Sequence, residues 1–510
     1  MSPVNLIIII SLYFVTLLII SRLTSKTSNN AAFFLGNRKS PWFVVAFGMI
    51  GASLSGVTFI SIPGEVGASM FSYMQIVFGY LLGYIVIANV LIPLYYKLNL
   101  TSIYVYLQKR FGNKSYKTGS FFFIVSRIIG ASFRLYLVAM VLDRFILSYW
   151  NIPFWLSVAI TIVFIWIYSF RAGIRTIVWT DTLQTFTMLL AVGFSIYYIS
   201  QEMDLSFSGL FTKISESRYS QIFIWDWNPR NNFLKHFLSG AFISIVMTGL
   251  DQDMMQKNLS CKNVREAKKN IYWMSSSLIL VNLLFLSLGA LIYIYADSAN
   301  VIIEHFAEPE IVRNCPIELL NKATGNFECA NTDQIFPFLS LNYLPPVAGI
   351  VFILGLVAAA YSSADSALTA LTTSFCVDFL GFKEDSNRIR TRYFVHIGFS
   401  IILFFTIIVF RLLNDDSVIN SLFTLAGYTY GPLLGLYSFG LFTKIKIKDP
   451  WVPIIAVISP IVCYILSKNS VEWFNGYEFG FELLIINGLL TFSGLLFLSK
   501  SLPILKKKGI

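Results

Sequence analysis

Long apolar stretches alternate with short polar connections along the whole chain. The first, VNLIIIISLYFVTLLII, starts at Val4, and a later one, SIILFFTIIVF, starts at Ser400. A helix needs roughly 20 apolar residues to cross a bilayer. On that criterion the pattern predicts about thirteen helical spans. They fall near 4–22, 41–72, 74–96, 118–147, 152–170, 174–200, 233–256, 270–296, 345–379, 391–412, 419–442, 450–467 and 481–499. In hydrocarbon only helices and closed barrels satisfy their own backbone. The expected fold class is therefore all-α, a polytopic membrane protein. Composition agrees: of 510 residues 56% are hydrophobic and 13% charged, against about 25% charged in soluble proteins. A soluble multidomain enzyme is excluded by that count.

The formal charge of +11 reads as topology. Basic residues cluster in every second connection: Arg22, Lys26, Arg38 and Lys39; Lys97 to Lys117; Arg171 and Arg175; Lys257 to Lys269; Lys383 to Arg392; Lys444 to Lys448; and Lys500 to Lys508. The positive-inside rule then places the N-terminus outside and the C-terminus in the cytoplasm, as in the plasma (inner) membrane of a bacterium. No positive charge precedes the first apolar run, so an uncleaved anchor is expected. The lipid bilayer and a small solute are the expected partners, with no nucleic acid and no obligatory protein. Two long outside connections remain, 201–232 and 297–344. The first holds WDWNP, which suits an interfacial aromatic belt. The second holds Cys315 and Cys329, either a disulfide or two unrelated thiols.

Polar residues inside spans carry the chemistry. The span at 41–72 reads GMIGASLSGVTFISIPGEVG, and its Gly and Pro residues weaken the helical ladder. Unwinding near Gly51–Gly56 would expose carbonyl oxygens able to ligate a small hard cation; close helix packing by small residues is the alternative. The span at 345–379 places Ser362, Asp365, Ser366, Thr369 and Thr373 on one face. A carboxylate there needs a cation or proton to neutralise it. Asp181, in IVWTDTLQ, lies in the cytoplasmic half of its own span. Hydroxyls and carboxylates without His or thiolate suit an alkali or other hard cation. Arg127 and Arg134 share a face of the span at 118–147. They either hold an anionic solute or pair with an acid such as Asp143 or Glu65.

Four segments, LSGVTFISIPG, IVWTDTLQ, DQDMMQKNLSCKNVREAKK and AAAYSSADSALTALTTSF, occur in an order that resembles the sodium/solute symporters, which include sialic acid, proline and galactose transporters. The resemblance runs from about Phe34 to Phe442. It implies a LeuT-type five-plus-five inverted repeat, 41–200 and 233–442, with the first and sixth core helices broken. Flanking it would be an extra helix and inside loop (1–40), the outside loop 201–232, and two accessory helices with a basic tail (443–510). It implies a sodium site at the carbonyls of Gly51, Leu54 and Ala359 and the hydroxyls of Ser362 and Ser363. A second sodium site would use Asp181, Ser362, Asp365 and Ser366, with Asp365 standing where a well-aligned member has Ser. Solute contacts would come from Ser53, Ser55, Thr58, Ser244, Met247, Thr248 and Tyr428, with Arg134 as a further candidate. The arginine that grips the sialic acid carboxylate aligns to Gly130, with Arg127 and Arg134 a turn to either side. The implied function is sodium-coupled import of a small organic solute, with a carboxylate or acidic sugar as one class. Sodium is the coupling ion and no organic cofactor is implied. A proton-coupled transporter using Asp181 and Asp365 is the alternative. Enzyme chemistry is disfavoured, because His236, His305 and His396 fall near span ends and form no nucleophile–base pair.

Overall fold

The computed structural model describes residues 3–24, 30–145, 147–169, 173–306, 315–320, 325–383, 388–413 and 418–499. Of the inside basic residues, Lys26, Arg171, Lys500 and Lys506 to Lys508 lie outside the described residues.

Each expected span coincides with a helix or a bent pair of helices. In chain order these are α1 (Pro3–Thr24), α2 (Trp42–Ser53), α3 (Gly56–Ser69), α4 (Tyr73–Lys97), α5 (Asn113–Phe145), α6 (Phe154–Ser169), α7 (Ile174–Glu202) and α8 (Phe233–Gly249). They continue with α9 (Gln252–Leu259), α10 (Val264–Ser298), α11 (Pro346–Phe379), α12 (Ile389–Leu413), α13 (Val418–Phe442), α14 (Asp449–Lys468) and α15 (Leu483–Phe497). Outward faces are apolar: Leu12, Phe405, Leu412 and Phe442 are all more than 60% exposed, as a lipid-facing surface requires. By contrast α11 is buried on all sides from Phe352 to Ser374 apart from Leu354, so its polar stripe faces protein. The loop 297–344 departs from the all-helical expectation. It folds as an antiparallel sheet, β1 (Ile302–Glu304), β2 (Ile317–Leu320) and β3 (Phe327–Ala330), in that order. Ile302, Ile317 and Leu319 alternate inward, and Cys315 is disulfide-bonded to Cys329.

Two spans are broken. α2 and α3 meet at 53°, and α8 and α9 at 64°. The first break is narrower than the sequence suggests. Only Leu54 (φ −91°, ψ 90°) and Ser55 (φ −88°, ψ −176°) leave the helix. Gly51 stays helical because its missing side chain lets α2 press on α7, where a Cβ would collide with the Thr185 hydroxyl. Small-residue packing therefore accounts for Gly51's lack of a side chain, and the unwinding comes one turn later.

Candidate ion and solute site

The two breaks lie against α11, α7, α5 and α13, and together these elements enclose the polar centre of the molecule. At the first break, α2 ends at Ser53, and the last carbonyls of a helix have no intrahelical donor. Leu54 N–H still donates to Ile50 O at 2.8 Å; the ladder stops there. Leu54, Ala359, Ser362 and Ser363 are all buried, at 1–2% exposure. The Ser363 hydroxyl donates to the Ala359 carbonyl at 3.2 Å, so two of the expected ligands share one turn of α11. Neutral carbonyl and hydroxyl oxygens in a water-poor site are a donor set suited to an alkali cation. By donor chemistry the first set suits sodium.

The second set already holds a cationic side chain. Asp181 is fully buried. Its Oδ1 accepts from the Ser362 hydroxyl at 2.8 Å and its Oδ2 from Ser366 at 3.5 Å, as the sequence suggested. However, Lys257 Nζ stands 2.8 Å from Asp181 Oδ2 and 3.9 Å from Asp253 Oδ1. Lys257 was expected in an inside loop. Instead it lies on α9 at 1% exposure, because α9 continues the broken span back into the protein. Asp365 is equally buried on the same stripe of α11.

The arginines part company. Arg127 forms salt bridges with Asp253 and, at 3.8 Å, with Asp251, which displaces the expected partners Asp143 and Glu65. Asp143 faces Arg411 at 3.5 Å, and Glu65 accepts from Asn420 at 3.2 Å. Asp251 also accepts from the Tyr430 hydroxyl at 2.6 Å and caps α9 through the Asp253 and Met254 amides. Together with Arg127, Arg134, 7% exposed, lines a central cavity of about 80 Å³. Its Nε has no hydrogen-bond partner among the described residues. Gly130, one turn before it, offers no side chain at all.

Ser53, Ser55, Thr58, Ser244, Met247 and Thr248 line that cavity as expected. Tyr428 does not: its ring packs edge-on against Tyr464 of α14, with centroids 6.2 Å apart. On α13 it is Ile419, Leu422 and Phe423 that face the cavity. Sequence reading missed Tyr73, Tyr80, Tyr84 and Asn282, which also line it. Tyrosines in a span read as interfacial or core residues, and a lone Asn282 carries no motif. A larger space of about 330 Å³ lies toward Arg230, Asn231 and Glu478, and Tyr73, Ile419 and Phe423 border both spaces. The histidines are not all at span ends either: His396 is buried, 3.1 Å from the Thr372 hydroxyl.

A helical membrane bundle with two interrupted spans meeting at a buried polar centre defines the class of inverted-repeat secondary transporters. The model of the sodium:solute symporter family matches residues 33–444, and the chain belongs to that family. It is 25% identical over 479 residues to the sodium/sialic acid symporter NanT of Aliivibrio fischeri, covering 90% of this chain and 87% of that one. Identity to the sodium-coupled monocarboxylate transporter 1 of Xenopus laevis is 26% over 427 residues, which is 82% of this chain but 63% of the relative. Against the human sodium/iodide cotransporter it is 23%, covering 80% and 61%. Among solved structures, a substrate-bound, outward-open Na+-coupled sialic acid symporter superposes with a TM-score of 0.78 at 20% identity, over 98% of this chain and 99% of that one. A nucleobase-cation-symport-1 family transporter gives 0.54 at 14%, over 95% and 98%. The chain is thus a sodium-coupled symporter of LeuT-type fold, and a transporter, not an enzyme.

Proposed function

We propose that the solute is a small organic anion and that Arg134 holds its carboxylate. The observation that carries this reading is that Arg134, buried against the central cavity, makes no salt bridge among the described residues, whereas Arg127 on the same helix is bridged to Asp253 and Asp251. A buried charge with no partner is costly, and a carboxylate can pair with guanidinium in two parallel hydrogen bonds. The sialic acid and monocarboxylate relatives point the same way. Hydroxyls of Ser53, Ser55, Thr58, Ser244 and Thr248, the Asn282 amide and the three tyrosines would orient the remainder of the solute. Sodium would bind at the first break, through Gly51, Leu54, Ala359, Ser362 and Ser363. Its capture joins α2 to α11 and shapes the cavity beside it, so sodium and solute strengthen each other's binding reciprocally.

The repeats would be residues 41–200 and 233–442. We orient the N-terminus outside and the C-terminus in the cytoplasm of a bacterial inner membrane, which places the 315–329 disulfide loop on the oxidising side. The proton-coupled alternative would use Asp181 and Asp365; Lys257, 2.8 Å from Asp181, favours the charged form of that carboxylate.

The test is uptake by the full chain in proteoliposomes. Labelled monocarboxylates, sialic acid and neutral sugars are offered, with sodium or choline outside. Sodium-dependent uptake of an anion should fall more than tenfold in Arg134→Gln. Sodium-driven uptake of a neutral sugar, indifferent to Arg134→Gln, would overturn the anionic reading.

A further inference from the structure

Lys257 raises a question that the symporter reading leaves open. Four buried charges form a continuous line: Arg127 on α5, Asp253 and Lys257 on α9, and Asp181 on α7. Each is at most 4% exposed. The two hydroxyls of α11 that reach Asp181, Ser362 and Ser366, complete the cluster. The family resemblance would put a second sodium ion on Asp181. In this chain an ammonium already stands at contact distance from that carboxylate.

We propose that Lys257 is a tethered cation that takes the place of the second sodium, so that the protein binds a single Na+. The inference rests on the first-break sodium site. A sodium ion ligated by Asp181 would have to sit beside the lysine ammonium in a medium of low dielectric, where like charges repel strongly. Lysine is a compact point charge on a flexible stem with three N–H donors. At 2.8 Å from Asp181 Oδ2 it neutralises the carboxylate as a metal ion would. Unlike a diffusible ion it is covalently part of α9, so it cannot enter from one side and leave on the other. The Asp181 cage becomes a fixed joint between the second broken helix and α7 and α11. One sodium translocated with one monoanionic solute moves no net charge, and the membrane potential then supplies no driving force to the transport cycle.

Sodium alone is the probe. The full chain, purified in detergent, is titrated with radioactive sodium, choline replacing it to constant ionic strength. One bound sodium per chain and a Hill coefficient near one are expected. Two bound ions in the unmodified protein would overturn the proposal. Lys257→Gln removes the tethered charge and leaves Asp181 open, so a second bound sodium should appear. A count that stays at one in folded Lys257→Gln also overturns it. If that variant does not fold, Asp181→Asn combined with Lys257→Gln removes both charges of the pair and should still bind one ion; binding of none would mean that the pair itself makes the sodium site, and would overturn the proposal. No bound sodium in the unmodified protein would instead remove the first-break site, a failure distinct from this one.

Discussion

The two breaks face similar physical problems and solve them differently. Interrupting a helix inside a membrane leaves carbonyls without amide donors, and each must find a partner. At Leu250–Asp251 the protein supplies partners itself. Tyr95 donates to the Gly249 carbonyl at 2.8 Å and Tyr104 to the Leu250 carbonyl at 2.9 Å. The Asp251 side chain caps the new helix, and Gln252 bridges to Ile103 N–H and the Thr101 carbonyl at 2.9 Å each. At Leu54–Ser55 no side-chain cap is made, and α11, which carries Ala359, Ser362 and Ser363, packs against both α2 and α3. One break is stitched by tyrosine and aspartate, and the other presents oxygen atoms. On the proposed reading, the difference separates a broken helix that serves as a frame from one that serves as a ligand. A frame has its polar groups satisfied by fixed partners; a cation site needs oxygen atoms that can turn toward an ion.

That contrast can be broken at either end. Ser363→Ala at the first break removes a candidate ligand while leaving the stitched break untouched. Sodium-dependent uptake should fall to background, with expression and folding preserved. Uptake that persists at a normal sodium affinity would show that the first break is not the ion site. At the second break, Asp251→Asn removes the charge shared by Arg127 and Tyr430. Arg127 keeps Asp253, so the cost is expected to stay below the roughly 3–5 kcal/mol of a buried ion stripped of its only partner. The variant should still unfold at a lower temperature, whether or not sodium is present. A loss of sodium affinity with unchanged stability would make the second break a ligand as well. Tyr95→Phe and Tyr104→Phe are the mildest probes. Each deletes one hydroxyl donor, worth about 1 kcal/mol, and each should lower thermal stability slightly without adding a bound sodium. A newly bound ion in the double variant would sharpen the comparison further, because it would mean that tyrosines alone keep the second break from acting as the first does.

Much of this was legible before any coordinates. The spans followed from apolar run length, which is a local property. The stripe of Ser362, Asp365 and Ser366 followed from helical periodicity. Its hydrogen bonds to Asp181 agree with the pairing expected from the motifs around them. Gly and Pro density located the first break to within a turn, but it could not separate the packing role of Gly51 from unwinding at Leu54. The three strands near residues 302–330 went unread because they are short and lie in a loop without strong alternation. Tyr428 was misplaced because its neighbour Tyr430 shares the segment, and only the rotation of α13 decides which of the two faces Asp251.

The amino-acid sequence by itself determined that the chain crosses a membrane many times, that its first repeat contains an interrupted helix, and that a hydroxyl-rich face lies on its most buried span. Those are consequences of hydrophobicity and of the 3.6-residue turn, and both act between near neighbours. Tertiary structure alone decided which charges meet. Both arginines line the cavity, but among the described residues only Arg127 is salt-bridged, and Lys257 turns inward to Asp181 where sequence suggested a cytoplasmic loop. The reason is geometric. A buried ion pair depends on how distant helices cross, and a bend of 64° between α8 and α9 carries a lysine from the expected edge of the membrane to its polar centre.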